Sequence, residues 1–105
     1  MPLTGNEDHS ISLADAAEMT KNYRKSAGPG AFLGGYFGQK GISKVLEHED
    51  CVGIRIYNAE DENGKKNFVI VGVNADNDDL TDEEILEHGM GCPPFCPDSS
   101  PLTDD

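Results

Sequence analysis

The stretch Val52–Asn74, VGIRIYNAEDENGKKNFVIVGVN, holds two apolar runs on either side of Asn63-Gly64. Asn-Gly between alternating or β-branched runs is the strongest short-range signal for an antiparallel hairpin. The spacing predicts strands at about 52–58 and 67–74. With Asn63 and Gly64 as the two central turn residues, cross-strand partners are expected to have numbers summing to 127. Glu62 then faces Lys65 and Asp61 faces Lys66. Ile54, Ile56 and Asn58 meet Val73, Val71 and Val69 on one face, and Arg55, Tyr57 and Ala59 meet Gly72, Ile70 and Phe68 on the other.

Both faces of such a ribbon are apolar, and both of its edges are open. A two-stranded sheet of that kind is marginal in water and invites pairing, so something must cover it. The candidates are the Gly-rich aromatic segment 28–38, GPGAFLGGYFG, or another copy of the chain. Phe32, Leu33, Tyr36, Phe37, Tyr57, Phe68 and Ile70 are therefore the expected interface residues.

Working outward, Ser12 with Asp15 three residues on marks a helix start, followed by Leu13, Ala16, Ala17, Thr20 and Tyr23 at helical spacing. Lys21, Arg24 and Lys25 suit its C-terminal end. A second short helix is predicted over about Lys40–His48 from Ile42, Val45 and Leu46. A third is predicted after Thr81, capped by Glu84 and stopped by Gly89. The fold class is α+β, a small single domain built on the central hairpin with two or three short helices. It divides into a flexible N-terminus at 1–11, the α+β domain at 12–90, and an extended, acidic Cys/Pro-rich tail at 91–105.

The 105 residues carry 8 Lys and Arg against 20 Asp and Glu, a net charge of −12. Such a surface repels phosphate backbones and anionic lipid, so neither nucleic acid nor membrane is an expected partner. A homo-oligomer or another protein is. No apolar run reaches membrane-spanning length, and MPLTGNEDHS lacks the basic start and apolar stretch of a secretory signal, which points to the cytoplasm. Three cysteines cannot all pair within one copy: either the compartment is reducing or one thiol stays free.

Chemistry has few places to sit. The acidic run at 74–84 begins like an EF-hand loop, but Asp79 stands where that loop needs glycine and Ile85 where it needs a bidentate glutamate. The glycines of 28–38 form no phosphate-binding pattern. In His88-GMG-Cys92-PPF-Cys96 the thiol spacing lies within the zinc range, and His88 precedes Cys92 by one helical turn; zinc on His88, Cys92 and Cys96 is the one cofactor suggested. Against it, Pro93 and Pro94 are expected to hold the two thiols apart on an extended path. A redox dithiol is disfavoured beside a helix C-terminus, where the field opposes the thiolate, while a local Cys92–Cys96 disulfide suits an oxidising setting. Cys51 reads as a small buried hydrophobe. No Ser/His/Asp arrangement or pair of facing carboxylates can be placed.

Ile54–Tyr57, Asp61–Lys66, Val71–Asn74 and Cys92–Cys96 together resemble small uncharacterised bacterial proteins of Bacteroidetes type, which share an I-R-x-Y strand, a D-E-x-G-x-x turn, a V-G-V-[DN] strand and a C-P-P-x-C end. The resemblance covers under half the chain and implies no catalytic residue. The expected function is thus a non-enzymatic, self-associating or partner-binding protein that uses its hairpin edges and Gly/aromatic segment. The alternative is a small zinc or redox module built on the CPPFC tail.

Overall fold

The computed structural model describes residues 2–87 and 89–104. In chain order its elements are α1 (Leu13–Ala27), β1 (Gly34–Tyr36), α2 (Gln39–Leu46), β2 (Gly53–Glu60), β3 (Lys66–Val73), β4 (Ile85–Glu87) and β5 (Met90–Cys92). The fold is α+β, with an antiparallel three-stranded sheet in the order β2-β3-β4 and a separate β1-β5 pair. The chain divides into two compact units, Met1–Glu7 with Phe37–Met90, and Asp8–Tyr36 with Gly91–Asp105.

The first unit is the hairpin and what packs on it. β2 and β3 pair as expected, but the register is shifted by one residue: Ile56 faces Ile70, Arg55 faces Val71, Asn58 faces Phe68 and Glu60 faces Lys66, so partner numbers sum to 126. The turn explains the shift. Gly64 N donates to Asp61 O, Asp61 N donates to Lys65 O, and Gly64 takes φ 79°. That is a type I turn over Asp61–Gly64 followed by a left-handed glycine, a three-residue loop in place of a two-residue one. Asp61 selects it, because its Oδ1 accepts from both Asn63 N and Lys65 N, and aspartate at the first position with glycine at the fourth is the type I preference. The expected Glu62–Lys65 and Asp61–Lys66 pairs give way to one exposed ion pair, Lys66 Nζ to Glu60 Oε1 at 2.9 Å.

The third expected helix is absent, and β4 stands in its place. Glu87, Leu86 and Ile85 pair with Val69, Ile70 and Val71. Upstream, Leu80 N donates to Gly72 O and Asp79 forms a bridge with Val73. A helix after Thr81 would have left this edge of β3 without partners, and the backbone ladder outweighs the capping signals.

β3 is consequently buried, with Ile70, Val71 and Val73 all 3–4% exposed. α2 lies across the face that carries Ile70, Gly72 and Leu86: Val45 is buried there, and a Cβ on Gly72 would stand 3.3 Å from Val45 Cγ1 and 3.0 Å from Cys51 Sγ. On the same face, a Cβ on Gly41 would approach Leu86 Cδ2 to 3.2 Å. The first residues of the chain run alongside, Leu3 N donating to Ala75 O.

In the second unit, Ser12 caps α1 as expected, its Oγ accepting from Asp15 N at 3.0 Å. Ala16, Ala17 and Thr20 are half-buried, yet no residue of the helix is fully buried. The tail is folded back, not extended: Cys92 and Cys96 form a disulfide with their Cα atoms 4.8 Å apart. Phe95 N donates to Gly91 O and Cys96 N to Pro94 O, and the bonds preceding Pro93 and Pro94 are cis. The expected extended path through the prolines is therefore replaced by a tight turn. Arg24 holds the end of the chain, donating from Nη1 to Leu102 O and from Nη2 to Asp104 O.

Candidate functional site

β2 is the outer strand of its sheet and the longest exposed edge of the first unit. Hydrogen bonds alternate along an antiparallel ladder, and the Asp61–Lys65 pair that closes the hairpin sets the phase. Arg55, Tyr57 and Ala59 thus turn their backbone groups toward β3, while Ile54, Ile56, Asn58 and Glu60 turn theirs outward. Among the described residues no strand pairs with these outward-facing groups of β2.

The side chains at this edge are apolar. Ile54 is 38% and Ile56 56% exposed, both on the face covered by α2. A single helix is about 10 Å across and strands lie about 4.8 Å apart, so one helix covers roughly two strands. Here α2 reaches all three strands, and the isoleucines of the outermost strand, β2, are only partly covered.

On the opposite face a polar clamp fixes the strand to the acidic loop. Arg55 Nη1 lies 2.5 Å from Asp79 Oδ1, the Tyr57 hydroxyl donates to Asp79 Oδ2 at 2.5 Å, and Arg55 Nη2 donates to Asn77 Oδ1. The Tyr57 hydrogen bond, aided by the Arg55 guanidinium, holds the Asp79 carboxyl below the usual aspartate range even though partial burial pushes the other way. The same hydrogen bond raises Tyr57 above its ordinary value. The loop is shaped for this contact: Asn74 Oδ1 accepts from Asp76 N and Asp78 N, and Asn77 adopts φ 70°. A second tie joins His48 Nε2 to Glu83 Oε1 at 3.0 Å.

The residues expected at an interface are distributed unevenly. Tyr57 is 44% and Tyr36 61% exposed, whereas Ile70, at 4%, belongs to the core and offers no surface. Phe68 is half-buried. Phe37 is half-buried against Gly89, where a Cβ would stand 2.5 Å from its ring. In the second unit Phe32 is half-buried beside Gly91, and Leu33 N donates to Cys92 O. That unit also has a shallow pocket of about 170 Å³ lined by Met19, Thr20, Tyr23, Arg24, Leu33 and Leu102. Sequence reading missed Ile54 and Ile56 as surface residues and Asp79 as the partner of Arg55. Nothing local in the sequence marked any of the three: the isoleucines are exposed because β4 takes the far edge of β3 and leaves β2 outermost.

Of the proposed zinc ligands, Cys92 and Cys96 are joined to each other and His88 lies outside the described residues. Among the described residues no three His, Cys, Asp or Glu side chains converge as a metal site. Cys51 is the free thiol, half-buried, with Sγ donating to Gly53 O. No helix among the described residues is long and apolar enough to cross a membrane. No family model, no curated protein and no solved structure matches the chain.

Proposed function

We propose that this is a non-enzymatic protein whose role is to associate, with a copy of itself or with another protein, by adding a strand to the outer edge of β2. The observation that carries the reading is the conjunction of an open eight-residue edge with Ile56 standing 56% exposed on it. Strand addition draws affinity from main-chain hydrogen bonds and specificity from alternate side chains, and β2 offers both. Natural edges are usually blunted by lysine, proline or a bulge; the middle of β2, Ile54–Asn58, has none of these.

Light scattering on the purified chain at micromolar concentration tests the reading. A mass above 11.3 kDa that falls on dilution is expected, or, for a foreign partner, strand addition that depends on Ile56. A well-folded monomer in which Ile56→Lys changes no interaction contradicts it.

A second reading, a redox module on the tail, has the Cys92–Cys96 disulfide in its favour. It requires that the bond open and close with a measurable change in the second unit.

A further inference from the structure

The two units are unequally provided with a core. Among the described residues the fully buried apolar side chains are Val45, Ile70, Val71 and Val73, all in the first unit, and Cys92, which alone belongs to the second. α1 buries none of its residues, and its Leu13, Met19 and Tyr23 are exposed. A small unit without an apolar core depends on other ties, of which a disulfide is the usual one.

Those ties can be named. Cys92 ends β5, and its carbonyl accepts from Leu33 N at 2.7 Å. The Phe32 ring lies against Gly91, where a Cβ would stand 3.0 Å from Cε1. Further along the tail, Arg24 donates to the carbonyls of Leu102 and Asp104, and Leu102 lines the pocket on α1. Between these two holds the chain turns through Cys92–Cys96. The disulfide therefore sets the direction in which the tail leaves β5, and with it whether Leu102 reaches α1.

The bond is placed to open as well as to close. It joins residues four apart in sequence and does not itself link the tail to α1. Closing so short a loop shifts a local opening equilibrium by about thirty-fold, enough to tip a marginal contact and too little to lock it. The two sulfurs also differ in access, Cys92 being buried and Cys96 half-buried. An incoming thiolate of a dithiol attacks Sγ of Cys96, forming a mixed disulfide there while Cys92 leaves as a thiolate and takes a proton from solvent. The second thiolate of the reductant then attacks the reductant's own sulfur. That closes the disulfide of the reductant and releases Cys96, which is protonated in turn. Two electrons have passed to the protein, and the dithiol is oxidised.

We propose that Cys92–Cys96 is a thiol–disulfide switch, turned by a dithiol reductant, that sets whether the C-terminal segment stays docked on α1. It rests on the redox reading of the tail and is independent of strand addition at β2. A helix of 15 residues is marginal by itself, so undocking is read as fraying of α1, while the first unit keeps its own core.

Amide hydrogen exchange of the full chain during titration with dithiothreitol, with thiols counted in the same samples, tests the switch. As the count rises from one to three, the amides of α1 and Leu33 are expected to exchange about thirty-fold faster, and those of β3 at an unchanged rate. Reoxidation should restore both the count and the protection. The double variant Cys92→Ser, Cys96→Ser should show the open pattern with or without dithiothreitol. Acceleration confined to residues 92–96, or spread equally to β3, overturns the docking and leaves a redox module standing. A bond that stays closed in excess dithiothreitol under native conditions, or that opens with no change in exchange, overturns both.

Discussion

The Tyr57 hydroxyl donates to the Asp79 carboxylate across 2.5 Å, and through that contact the acidic loop after β3 is tied to the edge strand β2. Asp79 has a lowered pKa and Tyr57 a raised one, so the tie has two pH limits. A carboxylate with a depressed folded pKa stabilises above its unfolded pKa, and that contribution disappears as pH falls through the folded value. A phenol with a raised folded pKa stabilises below its unfolded pKa and loses the contribution as pH rises through the folded one. Melting temperature followed against pH is expected to fall at both ends, and Asp79→Asn should flatten both limbs, because the Asp79 carboxylate is also what raises Tyr57. An unchanged acidic limb in the variant would show that the clamp adds nothing to stability.

The turn supplies the second expectation. Gly64 sits at φ 79° while Asn63 has no positive φ, so Gly64→Ala should cost about 1–2 kcal/mol and Asn63→Ala no more than about 0.5 kcal/mol. A two-residue turn centred on Asn63 and Gly64 needs positive φ at both, and comparable losses at the two positions would restore it. Contacts between Hα atoms of Ile56 and Ile70 by nuclear magnetic resonance check the same register directly.

The hairpin was legible because its alternation is local, and the first helix because Ser12 and Asp15 announce it. The register was not, since Asp61 competed with Asn63 to define the turn and a single residue decides which side chains face which way. β4 was hidden for a different reason. Ile85–Glu87 is too short to carry a period, Thr81 and Glu84 are sound capping residues, and what makes the segment a strand is the open edge of β3, a non-local fact. The exposed isoleucines follow from the second, since β2 is outermost only because β4 takes the other edge of β3.

Burial separates Ile70 from Ile56. Ile70→Ala, in the core, should cost about 2–5 kcal/mol of folding stability. Ile56→Ala, on the outer edge, should leave the monomer within about 0.5 kcal/mol of the parent chain and weaken association instead. Chemical denaturation at two protein concentrations distinguishes them: the Ile56 effect depends on concentration and the Ile70 effect does not. Equal, concentration-independent losses would place Ile56 in the core.

The tail offers a thiol count. The native chain should titrate one thiol, Cys51, and three after reduction of Cys92–Cys96. For so short a loop, opening the bond should cost about 2 kcal/mol, read as a lower melting temperature for the second unit. Three freely titrating thiols before any reductant is added would exclude the disulfide.

Amide hydrogen exchange on the outward-facing edge is the most direct measurement. The N–H groups of Ile54, Ile56 and Asn58 are expected to exchange rapidly in dilute protein and to become protected as concentration rises and the mass doubles. Rapid exchange of these three amides in a chain that is demonstrably dimeric would move the interface elsewhere and contradict strand addition at β2.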